Sequence, residues 1–249
     1  METKYTYFII LAISLLGPLA LSFDKTVAFN KRWKYVFKAM LLPAIFYIAW
    51  DIYFTAKGIW SFNPDYITGI KIFNLPVEEV LFFFVVPYCC LFIYECIRVY
   101  FSALKNKKKD DLVLKILAVI LLAAGIFFYK KQYTSWTFIL SAVFIFIIYA
   151  NKFFFKFFDA TSFIISYSVM LVPFLVVNGY LTSIPVVRYN DAEILGFRIY
   201  SIPFEDVFYG MLLVMMNIAI YEKIKNQKNQ KRPKRHKKQR VNCSPELTD

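Results

Sequence analysis

Apolar residues fall in long, nearly unbroken runs, and short clusters rich in Lys, Asn and Asp separate them. Seven runs can be marked, at 5–23, 33–54, 77–97, 112–129, 134–150, 160–181 and 204–224. Each is ~17 to 22 residues long, which at 1.5 Å per residue is enough to cross a ~30 Å hydrocarbon layer. The pattern predicts an all-α integral membrane protein with seven transmembrane helices. The first run has small residues near Ala20, as a signal peptide does, but its charged lead is the single Lys4. Because it also has a partner later in the chain, it is read as helix one.

The runs form two sets. A shift of 127 positions lays 51–97 on 178–224 without a gap, with 13 of 47 positions identical, among them Tyr53/Tyr180, Thr55/Thr182, Asn63/Asn190, Gly69/Gly196, Pro76/Pro203, Glu78/Glu205 and Glu95/Glu222. This is a tandem duplication. The same shift lays helices one to three on helices five to seven and leaves helix four as a linker. One odd helix between two three-helix units returns the second unit to the first one's orientation, so the repeats are expected to be parallel, about an axis along the membrane normal. The chain then divides into a first repeat at 1–100, a linker with helix four at 101–131, a second repeat at 132–226 and a basic tail at 227–249.

Composition and charge add the orientation. Hydrophobic residues make up 59% of the 249 positions, and the formal net charge is +13. Such a charge suggests nucleic acid until the basic residues are located. Of the 30 Lys and Arg, all but seven (Lys4, Lys57, Lys71, Lys130, Lys131, Arg188, Arg198) lie in the odd-to-even loops and the tail. That asymmetry predicts a multi-pass protein of the cell membrane, with the N-terminus outside and the C-terminus cytoplasmic. The tail is expected to be disordered and to lie against anionic lipid headgroups, with no nucleic-acid partner. The only histidine, His236, is in that tail, and the four cysteines (Cys89, Cys90, Cys96, Cys243) have no CxxC spacing, so neither His-based catalysis nor a metal site is indicated.

The candidate chemistry sits in a stretch that occurs twice. Pro76, Glu78 and Glu79 open helix three, and Pro203, Glu205 and Asp206 open helix seven. A purely structural reading exists: proline suits a first helical turn, acids suit the positive end of the helix dipole, and Asn74 and Ser201 stand where caps would. Capping can be met by many residue types, however, and here the doublet returns in register. Ionisable side chains near bilayer depth point to function. Asp51 and its repeat partner Asn178, at the ends of helices two and six, are expected at the same mouth. Glu95 and Glu222 lie ~25 Å further along, where pairing with nearby Lys and Arg explains them.

Neighbouring helical residues point ~100° apart, so the two acids of a doublet cannot share one target. The identical pair, Glu78 and Glu205, is assigned proton delivery, with Glu79 and Asp206 as tuning partners. A carboxylic acid aimed into hydrocarbon can protonate an alkene. Phe82, Phe83 and Phe84, with Phe208 and Tyr209, follow the acids and offer rings to a cation. The connections 55–75 and 182–202 are apolar for loops of their length and predict lids or short hairpins over the mouth.

The doubled Pro-x-Glu-(Glu/Asp), the stretch from Asp51 to Thr55 with its echo from Asn178 to Thr182, and two three-helix units in one chain resemble the carotenoid lycopene cyclase domains of the heterodimer type. The match runs from about residue 3 to 226 and has the form of a fused tandem of the two small subunits. The resemblance implies an isomerase, or intramolecular lyase, that cyclises lycopene end groups to β-rings without redox change, giving γ-carotene and then β-carotene. It implies Glu78, Glu79, Glu205 and Asp206 as catalytic, with Asp51, Asn178, Pro76 and Pro203 in support. It also implies no flavin or other cofactor, and the chain has no Gly-x-Gly-x-x-Gly stretch.

Rival readings lack residues. A retinal photoreceptor needs a lysine within helix seven. A CAAX-type protease needs membrane histidines, and a membrane prenyltransferase needs Asp-rich magnesium motifs. A transporter or hydrophobic-ligand-binding bundle fits parallel repeats with intramembrane acids and is the main alternative. Ring type, reaction at one end or both, C40 against longer substrates, the catalytic repeat and a homo-oligomeric state stay open.

Overall fold

The structure, a computed structural model, describes residues 3–101 and 106–230. The apolar runs become seven helices: α1 (Thr6–Leu21), α2 (Trp33–Ala56), α3 (Val77–Tyr100), α4 (Lys108–Phe127), α5 (Gln132–Ala150), α6 (Ala160–Ser183) and α7 (Glu205–Gln230). Helices suit such runs because they satisfy every internal backbone group within the segment. Side chains such as Ile13, Leu16, Leu42, Ile45, Val172 and Val176 stay exposed on the outer faces, which fits a lipid-facing surface.

Five of the helices, α2, α3, α5, α6 and α7, are long and apolar enough to cross a membrane. The other two fall short of the sequence expectation for physical reasons. Helix α1 has 16 residues, ~24 Å of rise, and α4 begins with Lys108, Lys109, Asp110 and Asp111. Helix α7 continues to Gln230, so the first residues assigned to the tail are helical; the rest, 231–249, lies outside the described residues. Cys243, His236 and the proposed headgroup contacts lie there too.

The duplication is visible in the element bounds. Applying the 127-residue shift to α2 reproduces α6, 24 residues each. The connections carry matching hairpins: β2 (Lys71–Ile72) with β3 (Leu75–Pro76), and β5 (Arg198–Ile199) with β6 (Ile202–Pro203). Phe73 and Tyr200 take φ of 58° and 59° at the hairpin tips, and Gly69 and Gly196 take 85° and 86° just before them. Glycine adopts the left-handed region without strain, which is why it stands at the second pair of positions.

The two connections also bind each other. Strand β1 (Trp60–Phe62) pairs antiparallel with β4 (Val187–Tyr189), centred on Ser61 opposite Arg188. On either side the bond exchanges between repeats: the Asn63 N–H donates to the Val186 carbonyl and the Asn190 N–H to the Ile59 carbonyl, both at 2.9 Å. The predicted lids are therefore one joint cover.

Linker helix α4 packs closely along α5. A Cβ on Gly125 would lie 2.7 Å from Ile139 Cγ1 and 3.2 Å from the Ser135 carbonyl oxygen, so glycine permits the approach. At the end of the bundle away from the hairpins, Glu95 and Glu222 are buried and paired. Lys225 Nζ reaches Glu95 Oε1 at 2.7 Å and Glu222 Oε1 at 2.8 Å, Arg32 pairs with Glu95, and Arg98 lies 3.9 Å from Glu222. This is the pairing their position predicts.

Candidate active site

Each doublet opens its helix directly from a hairpin strand, so backbone turn and acid are set together. Pro76 and Pro203 are buried as the last residues of β3 and β6, opposite Lys71 and Arg198. Asn74 and Ser201 are not helix caps. Asn74 Nδ2 donates to the Ile52 carbonyl at 2.9 Å and Ser201 Oγ to the Gly179 carbonyl at 3.1 Å, so each ties its hairpin to the preceding helix. The hairpin turn holds these residues too far before the first helical N–H groups to cap them.

The first acid of each doublet is turned toward the cover. Glu78 Oε1 accepts from the Thr68 N–H at 2.7 Å, and Glu205 Oε1 from the Leu195 N–H at 2.6 Å. Thr134 Oγ1 also donates to Glu205 Oε1, at 2.5 Å. Both carboxyls are fully buried, and Glu78 Oε2 and Glu205 Oε2 have no hydrogen-bond partner among the described residues. Neither residue lines a described cavity.

The second acid of each doublet faces inward. Glu79 and Asp206 border one polar cavity of about 50 Å³ together with Asp51, Asn178, Tyr7, Tyr133, Tyr189 and Tyr209. Tyr7 donates to Glu79 Oε2 at 2.6 Å and Tyr209 donates to Asp51 Oδ1 at 2.7 Å, so the Asp51 and Glu79 carboxyls border the same cavity, each held by a phenol. Asp206 accepts three donors: Tyr133 to Oδ1 at 2.5 Å, and Asn178 Nδ2 and Tyr189 to Oδ2 at 2.7 and 2.9 Å. Loss of water around the Tyr189 hydroxyl, then the nearby Asp206, push its phenol well above the ordinary value of 10.0, so it stays a donor near neutrality. Helices α2 and α6 run on for more than a turn past Asp51 and Asn178, which places both inside the bundle rather than at helix ends.

A larger, apolar cavity of about 240 Å³ adjoins the polar one and shares Phe82, Phe174, Asn178 and Tyr209 with it. It runs between α1, α3, α6 and α7, past Val86, Cys90 and Gly210. Phe82 and Tyr209 thus border both spaces. Phe83 and Phe208 border neither: Phe83 is buried 5.5 Å from the ring centres of Tyr47 and Phe82, and Phe208 packs on Phe138 and Phe204 at 5.2 and 5.3 Å. Successive helical positions cannot all face one space, so one ring of each run turns to the cavity and its neighbour to the core.

Sequence reasoning missed Tyr7, Tyr133 and Tyr189. Tyr7 and Tyr133 meet acids 72 and 73 residues away, a pairing no local pattern encodes. The one available signal was their level, since both stand at the mouth ends of helices that the repeat makes equivalent.

The family described as Lycopene cyclase matches residues 4–97 and 130–224. A lycopene beta-cyclase of Halobacterium salinarum is 42% identical over 60 residues, which cover 21% of this chain and 25% of the relative. A bifunctional lycopene cyclase/phytoene synthase of Aspergillus niger is 42% identical over 41 residues, 16% of this chain and 7% of the relative. The chain thus aligns with a quarter or less of the length of these curated relatives. No solved structure matches it.

Proposed function

The chain belongs to the lycopene cyclase family, and from that premise we propose that it closes β-rings on the ends of lycopene by proton-catalysed isomerisation. The observation that carries the reading is the gathering of the Asp51, Glu79 and Asp206 carboxyls around one small cavity, with no Lys or Arg among its described lining residues, beside an apolar one. Carboxylates crowded together away from any cation repel one another, and in this reading the Asp51–Glu79 pair keeps a proton that relieves the repulsion. That proton stands where an oily substrate's end group would arrive.

The reaction then balances within the substrate. The Asp51–Glu79 pair gives its proton to the terminal double bond, leaving a tertiary carbocation. The neighbouring alkene attacks it, forming the ring carbon–carbon bond and moving the positive charge onto the ring. A ring proton returns to a carboxylate, the ring double bond forms, and the formula is unchanged. Asp206, with three donors on its two oxygens, serves as the standing anion that stabilises the cation, and the Phe82 and Tyr209 rings add their faces. The cover of paired hairpins keeps water from the cation. In this reading Glu78 and Glu205 position the cover, and delivery of the proton passes to their neighbours.

The same reading includes the layout: two parallel three-helix repeats joined by α4, seven crossings with α1 and α4 embedded beside the five longer helices, and the acids at the outer leaflet. Coincident helix bounds and the shared cavity support it. Expression in cells that accumulate red lycopene tests the function. A shift to yellow-orange cyclic products is expected, lost in Glu79→Gln and Asp51→Asn proteins that still insert. An unchanged red pigment with the wild-type chain would overturn it and favour a transporter or binding bundle.

A further inference from the structure

The pseudo-symmetry poses a question about the apolar cavity, because a duplicated bundle ought to hold two. Applying the 127-residue shift to the lining residues gives a counterpart volume between α2, α3, α5 and α7. Where the open side has Gly210, Val177, Pro173 and Phe174, the counterpart has Phe83, Trp50, Phe46 and Tyr47. Three of those four exchanges put a much larger aromatic ring in place of a small side chain.

These rings fill the counterpart volume. Tyr47 lies 5.5 Å from Phe46, 5.5 Å from Trp50 and 5.5 Å from Phe83, and Tyr209 closes the group at 4.8 Å from Tyr47 and 5.1 Å from Trp50. Tyr47 and Phe83 are fully buried. Tyr47 is also locked, its hydroxyl donating to the Tyr209 carbonyl at 2.9 Å. On the open side a Cβ added to Gly210 would already touch Phe174 Cε2 at 3.4 Å and the Tyr167 hydroxyl at 3.7 Å, both residues of the cavity wall, so anything larger than a methyl at this position would have to occupy the cavity or displace its wall.

We propose that the fold holds one polyene slot, between α1, α3, α6 and α7, opened by Gly210 and Val177 and shut on the pseudo-symmetric side by Phe83 and Trp50. This rests on the carotenoid reading above. The two repeats thus divide the work: both supply acids, but only one side admits the linear hydrocarbon shaft. A product ringed at both ends then needs the polyene to leave and re-enter reversed, so the one-ringed intermediate is released. Gly210 and Val177 are specificity-determining residues of that slot.

The test begins with the wild-type chain in nanodiscs, titrated with lycopene and read by bound polyene absorbance per protein. One lycopene per chain is expected; two per chain overturns the inference while leaving the function intact, and no binding together with no ring formation sinks the function itself. Gly210→Phe and Val177→Trp each import the repeat partner's side chain. Each is expected to cut retained lycopene and ring formation roughly tenfold or more, at an unchanged thermal midpoint. Either variant, folded and binding as wild type does, refutes the slot. The stoichiometry decides the matter even if both variants unfold.

Discussion

Both ends of the bundle bury acids from the two repeats, and they balance them in different ways. At the end away from the hairpins, Glu95 and Glu222 face Arg32, Arg98 and Lys225. At the mouth, Asp51, Glu79 and Asp206 face four phenols, an amide and each other. Cations neutralise a carboxylate and leave it nothing to donate. Phenols solvate it without removing its charge, and a second carboxyl obliges the pair to keep a proton. Burial alone therefore does not separate a structural acid from a chemical one; the type of partner does.

The sharpest way to break the comparison is at the mouth. Glu79→Gln and Asp51→Asn should each lose roughly 100-fold or more of ring formation, the scale of general-acid catalysis, measured by pigment chromatography per folded protein. Retained turnover in both would remove the proton pair from the chemistry. Next, Glu95→Ala at the other end should cost about 2 kcal/mol in detergent unfolding, below the full penalty for a broken buried pair because Arg32 and Lys225 keep some contact with solvent. Its turnover per folded molecule should hold; a selective loss of turnover would mean that this cluster takes part in catalysis.

A smaller effect is expected for Tyr133→Phe, which removes one of the three donors to Asp206. About 1.5 kcal/mol, or roughly tenfold in turnover, is the scale for a hydrogen bond to a charged group. No change would show that Asp206 does not work through that bond. The smallest concerns Glu78→Gln and Glu205→Gln, where the amide oxygen can still accept from the Thr68 and Leu195 N–H groups. Turnover within roughly threefold of wild type is expected, under 1 kcal/mol. A loss as deep as that of Glu79→Gln would return proton delivery to the first acid of each doublet.

Much of the frame was legible. Hydropathy marked the seven helices, the repeat shift anticipated the coincidence of α2 with α6, and the apolar connections signalled a cover. The pairing of β1 with β4 was not readable, because strands of three residues carry too little pattern to name a partner more than a hundred positions away. The doublets were legible as a level in the bundle but not as directions. Residues 78 and 79 diverge by ~100° in any helix, and which one meets the cavity depends on how α3 is rotated against α1, α2 and α6.

What the chain alone determined was membrane character, duplication and the height at which its acids stand, since these are properties of contiguous residues. The tertiary structure decided that Glu79 and Asp206 turn inward while Glu78 and Glu205 hold the cover, that Tyr7 and Tyr133 serve as their donors, and that Phe83 and Trp50 close the side that Gly210 and Val177 leave open. Those outcomes depend on the rotation and packing of neighbouring helices, and no local sequence pattern contains them.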